Sequence, residues 1–364
     1  MDAERLYAIV LDLHQEMTRT NTVVKLQELI NALTQVINQP HPSHQQELSL
    51  NLLAMYTALT NTTSDEFSPL CRQILKEMGG EAFFGKALKA KIETIFTMNQ
   101  ITPVLALQEL QQLLNEIKLF NTALDQFSSS FNHFKIGEEK LSPGEFEIGI
   151  LIPRAAVQNR LINFSGELNE LGAILAPFAE VATGNRDDLV MSTLSSSALP
   201  VHLQASAPLA TFVAVSINRV VALYKNYVEI RKLHQEIREQ GVPDQNVSGI
   251  ENYANEIMEK GIDKIATEMV HEYYRKDNKY LKSELTKSVR ISLNKIANRI
   301  DRGFNIEVRV AAITKPEELE NNQALLKAIE TIQAATSSTQ FLKLDGRPLL
   351  RLPEAYDPPP KKKE

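Results

Sequence analysis

Nine basic side chains form the strongest chemical signal in this 364-residue sequence. Arg275, Lys276, Lys279, Lys282, Lys287, Arg290, Lys295, Arg299 and Arg302 face only Glu272, Asp277, Glu284 and Asp301 between 271 and 302, a local net of +5. Residues 1–140 lean the other way, with eleven basic against sixteen acidic side chains, a net of −5. Cations at this density suit an anionic partner: nucleic acid, an acidic protein surface, or the acidic N-terminal part of this chain. The competing reading is a solvated helix face, which charge runs usually are.

Other motifs fail where their chemistry is decided. Gly80, Gly85 and Lys86 match the phosphate-loop spacing, but Ala87 stands where a magnesium-binding hydroxyl belongs, so a glycine break between helices is expected. His271 and Glu272 begin a helical zinc motif that Arg275 ends, since the second imidazole is missing. His41 and His44 lie in a proline-rich break without a nearby acid or thiol. Ser192, Ser195, Ser196 and Ser197 cluster without the GxSxG of a nucleophile elbow and read as a hairpin turn. The stretch 302–308 offers one aromatic, Phe304, where an RNA-stacking strand needs two or three. Cys71 follows Ser68-Pro69 near a helix start, where a thiol pKa can drop, but a buried structural thiol is the simpler reading. The sequence therefore points to no catalytic residue, no metal site and no cofactor.

The elements that carry these residues are mostly helical. Hydrophobic residues make up 43% and charged residues 23%, a globular composition, and with no Trp the packing must come from Leu, Ile, Val and Ala. A single Cys excludes an internal disulfide. Over 1–136 apolar stripes at helical spacing alternate with breaks at Pro40/Pro42, Asn61–Ser64 and Ser68-Pro69. A long helix should start at Thr102-Pro103, with a seam from Leu107 to Phe134. Residues 137–144 read as a linker.

Beyond the linker, 146–152 reads as a strand and Val157 to Ala182 as one heptad-patterned helix. Strands are expected over 189–195 and 200–205, then a helical hairpin over 208–301 with its tip at 241–244. The hairpin's first arm should be buried in its first half and solvated in its second. Its other arm, one very long helix over about 248–301 with room for a single break, carries a stripe from Ile250 to Ile300. A last strand over 304–313, a helix opening at 315–317 and a flexible tail over 357–364 complete the chain. The fold class expected is thus α-dominated α+β: an N-terminal helical bundle at 1–136, and over 145–356 a βαββαβ-like, ferredoxin-like sheet domain with a long helical hairpin.

The function that fits is a non-enzymatic interaction or scaffold protein, using coiled-coil-like surfaces for self-association or partner binding. The alternative is a nucleic-acid-associated protein acting through the basic helix, and the third reading is an enzyme with an unrecognised site. An apolar stretch at 208–224 is shorter than the ~20 residues of a membrane span and contains Asn218 and Arg219. No membrane insertion and a cytoplasmic location are therefore expected, with a protein partner or a second copy as binding partner and nucleic acid as an option.

Overall fold

The computed structural model describes residues 3–60, 62–137, 141, 144–186, 189–194, 199–240, 244–276, 278–310, 323–339, 342, 344 and 346–355. The described residues are mostly helical, with one small antiparallel sheet. They divide into two units, Met1–Lys140 and Leu141–Glu364.

The first unit holds α1 (Ala3–Thr20), α2 (Thr22–Asn38), α3 (Pro42–Ala58), α4 (Pro69–Glu77), α5 (Gly85–Met98) and α6 (Pro103–Phe134). Their starts follow the local chemistry. Pro opens α3, α4 and α6, where its missing N–H costs nothing, and Ser68 caps α4 by accepting from Cys71 N. α6 packs on α1 and α2, burying Leu110, Leu114, Ile117 and Leu124 of the expected seam, while Phe134 at its end is exposed.

One buried polar contact ties the start of this unit to its middle. Glu16 of α1 accepts from Ser64 N at 2.7 Å and Ser64 Oγ at 2.8 Å. Burial raises the Glu16 pKa above its ordinary value; the two Ser64 bonds oppose the shift and the Asp65 charge adds to it. A carboxyl whose folded pKa is raised favours the fold below its unfolded pKa. That contribution is lost as pH climbs through the folded value. Denaturant titrations between pH 4 and 8 should therefore show the first unit weakening as pH rises from about 4.5. Glu16→Gln should flatten this part of the profile, and an unchanged slope in the variant would exclude Glu16 as its source.

The second unit contains β1 (Phe146–Leu151), α7 (Arg154–Val157), α8 (Leu161–Thr183), β2 (Val190–Leu194), β3 (Pro200–Ala205), α9 (Ala207–Glu239), α10 (Asp244–Tyr273), α11 (Lys279–Asp301), β4 (Asn305–Val310) and α12 (Gln323–Ser338). The sheet order is β2-β3-β1-β4 with every pairing antiparallel. Alternation along β1 sends Phe146, Ile148 and Ile150 into a core shared with α8, α9 and α11.

Three expectations are corrected. The heptad from Val157 is not one helix: Gln158 and Asn159 take left-handed backbone, so α7 stops and α8 begins afresh, leaving Leu161 exposed. The second half of α9 is not solvated on every face, because Tyr224, Tyr227, Arg231 and His234 are buried along one side while Lys225, Glu229, Lys232 and Glu236 stay exposed. The stripe from Ile250 to Ile300 does not line one face of one arm. α10 ends at Tyr273 and α11 begins at Lys279, a break the spacing allowed, but α11 folds back along α10, which packs on α9 as well. Met258, Ile262 and Ala266 are buried in that packing, while Ile257 of the expected stripe is partly exposed. The helix opening at 315–317, the serines at 195–197, the hairpin tip at 241–243 and the tail at 357–364 lie outside the described residues.

By length and composition α9 could cross a membrane, since it runs well beyond the apolar stretch at 208–224. Its apolar residues, Leu209, Phe212, Val213, Ile217, Val220 and Val221, are buried inside the unit.

Candidate functional site

The nine basic residues divide into two groups. Five have carboxylate partners within the unit: Lys287 with Glu284 at 2.9 Å, Arg290 with Asp263 at 3.3 Å, Lys295 with Glu170 at 2.7 Å, Arg299 with Glu167 at 2.9 Å, and Arg302 with Glu167 at 3.7 Å. The Lys295 bond lowers the Glu170 pKa. Arg299 is 2% exposed, so its charge is committed to α8. The other four, Arg275, Lys276, Lys279 and Lys282, cluster around the α10–α11 turn and have no carboxylate within ion-pair distance among the described residues.

The remaining motif residues are structural in their geometry. Gly85 has φ of +46° and starts α5, and the Lys86 amide behind it donates to Asp65 at 3.0 Å. A carboxylate of the protein thus takes the amide that a phosphate loop would offer to its ligand. Phe304 is 1% exposed, with Arg302 against its ring, so it gives no stacking surface. Glu272 pairs with Arg219, and His41 accepts from Ser43 N as the cap of α3.

Sequence reasoning missed two polar clusters. On the sheet, opposite the core face, Glu147 Oε1 lies 3.1 Å from His202 Nδ1 and 3.6 Å from Arg309 Nε, while Ser192 Oγ lies 3.2 Å from Oε2. Register explains the gathering: His202 and Glu307 flank Gly149, and a Cβ there would come within 3.1 Å of both. The arrangement holds a buried carboxylate between an imidazole, a guanidinium and a hydroxyl.

The second cluster is larger and binds a peptide chain. Residues 346–354 run without regular secondary structure across α9, α10 and α11, with Leu349, Leu350 and Leu352 buried in the core. Side chains satisfy the main chain of this segment in place of a neighbouring strand. Asp301 Oδ2 accepts from Leu349 N at 2.6 Å and Leu350 N at 2.7 Å. Asn298 accepts from Leu352 N and donates to Leu352 O, both at 3.0 Å. Asn255 Oδ1 accepts from Arg351 N at 2.7 Å, and Asn294 donates to Pro353 O at 2.9 Å. Arg231 donates to Gly346 O and to Asp301 Oδ1, the latter at 2.8 Å, and Tyr224 Oη donates to the same Asp301 oxygen. Burial, then the Asp301 charge, push the Tyr224 phenol pKa far above its ordinary value. Asn255 on α10 and Asn294, Asn298 and Asp301 on α11 are the only sequence trace of this site, and nothing in their spacing announces a bound segment.

A third feature lies in the first unit. α3 buries only Met55 along its length. Leu50 and Leu53, one helical turn apart, are 58% and 62% exposed, and with Lys25 and the small Ala54 and Ala58 they line an open groove beside α2. No protein-family model, curated protein or solved structure matches the chain.

Proposed function

We propose that this is a non-enzymatic interaction protein that associates through its helical surfaces, with a second copy as the first partner. The observation that carries the reading is the outer face of α3. Two leucines in solvent beside small alanines let another helix approach closely, as in helix-in-groove recognition. In this reading the first unit is a helical bundle with one unfilled, coiled-coil-like seam. The second is a ferredoxin-like sheet domain elaborated by the α9–α10–α11 helices, a description supported by the β2-β3-β1-β4 order and its antiparallel pairing. The burial of α9's apolar face supports a cytoplasmic protein without membrane insertion.

Light scattering coupled to size exclusion tests the reading. The chain should elute as a dimer at micromolar concentration, and Leu50→Glu with Leu53→Glu should return it to monomer. Stability should change by less than about 0.5 kcal/mol, because both sites are exposed. A chain that is monomeric at every concentration sinks the self-association reading.

The nucleic-acid alternative retains one supporting observation, the cluster of Arg275, Lys276, Lys279 and Lys282. The same elution record discriminates it. A high 260/280 nm absorbance ratio that collapses in stronger salt would favour phosphate contacts.

A further inference from the structure

The segment 346–354 is held in a way that suits a ligand better than a terminus. Its main chain is bonded through side-chain amides and one carboxylate, a mode that reads the backbone whatever the exposed side chains are. Only three positions, Leu349, Leu350 and Leu352, enter apolar space. Arg351 and Pro353 between and after them are exposed.

Two polar atoms of the groove, Asn294 Oδ1 and Tyr227 Oη beside Tyr224, are not served by this segment. Asn294 is 2% exposed, and its Oδ1 has no hydrogen-bond partner among the described residues although its amide bonds Pro353 O. Asn298 and Asn255, by contrast, use both ends of their amides on the segment. Proline brings no N–H, so the segment offers Asn294 no donor at residue 353.

We propose that the groove formed by α9, α10 and α11 is a binding site for a Leu-Leu-x-Leu peptide of a partner protein, followed by a residue with an N–H, and that 346–354 is its resident, displaceable occupant. This goes beyond the self-association reading and uses a different surface, so the two can fail separately. Tethered occupancy masks the site: a short linker gives an effective concentration on the order of millimolar, so a free peptide binding at about 10 μM competes at roughly a hundredfold disadvantage.

The test uses the full chain with a protease sequence inserted between residues 345 and 346, cut after folding so that every groove and segment residue, and the core-packed Leu342 and Leu344, remain. Fluorescein-labelled peptides of residues 346–356 are then followed by anisotropy. The native peptide should exchange into the cut protein and bind the uncut chain at least about 30-fold more weakly. The Pro353→Ala peptide should bind about 2- to 10-fold tighter than the native one, the worth of one added hydrogen bond. A scrambled peptide should not bind. No exchange into folded, cut protein, equal binding of the scrambled peptide, or no gain from Pro353→Ala would each overturn the proposal. If cutting unfolds the protein, the intact chain with Leu350→Ala and Leu352→Ala loosens the segment without altering the groove. The same peptides should then rank in the same order.

Discussion

Asp301→Ala is expected to destabilise the second unit by about 3–5 kcal/mol, the range for removing one partner of a buried ion pair. Asp301 is fully buried at the end of α11 and answers four groups at once: Arg231, the Tyr224 hydroxyl and the amides of Leu349 and Leu350. With the carboxylate gone, the 4% exposed Arg231 keeps a buried charge and two buried amides lose their acceptor. Each stranded amide costs about 1–3 kcal/mol by itself, although these terms overlap and do not add in full. For a unit of this size the melting temperature should fall by about 10 °C or more. Calorimetry reads this directly, with Asn298→Ala as the comparison. That variant strands one amide and one carbonyl of Leu352 and no charge, so its loss should be smaller, about 1–3 kcal/mol. A loss below about 1 kcal/mol for Asp301→Ala would mean that the segment does not seat on α11 in solution.

The second large effect falls in the first unit, at the glycine that mimics a phosphate loop. Gly85→Ala should cost about 2–4 kcal/mol. The left-handed backbone at φ +46° accounts for roughly 1–2 kcal/mol with any L side chain. The rest is steric, because a Cβ would lie 2.4 Å from Thr62 Oγ1 and 2.6 Å from Asp65 Oδ1. Gly79 separates the two terms. Its φ of +76° demands the same backbone region, but a Cβ there meets nothing within 4 Å, so Gly79→Ala should show the backbone cost alone. Chemical denaturation of both variants gives the difference. Equal losses would show that the 62–65 turn moves aside, and the crowding argument would then fail.

Helix positions were largely legible without the structure. Apolar spacing and punctuation such as Pro42, Ser68-Pro69 and Thr102-Pro103 are local properties, and they place α3, α4 and α6 within the chain. The strands around Phe146 and Pro200 follow in the same way from short apolar runs between breakers. The break inside the heptad at Gln158 and Asn159 was hidden, since the sequence keeps its heptad spacing across a backbone reversal that in the structure turns Leu161 out to solvent.

The charges are where local reading and tertiary structure part. Charges on most faces made the end of α9 read as solvated, yet the carboxylate partner of Arg231 lies 70 residues away on Asp301, and Arg231 also donates to Gly346 O. Lys295 and Arg299 were grouped with seven other cations as an anion-binding face. Their partners Glu170 and Glu167 sit 125 and 132 residues earlier, on α8. Composition determined that the chain would be globular and helical, because hydrophobic periodicity and breakers act over a few residues. Whether a given charge faces water or another charge depends on which helices meet. Side chains far apart in sequence decide that, and only the packed structure brings Asn255, Asn298 and Asp301 onto one segment.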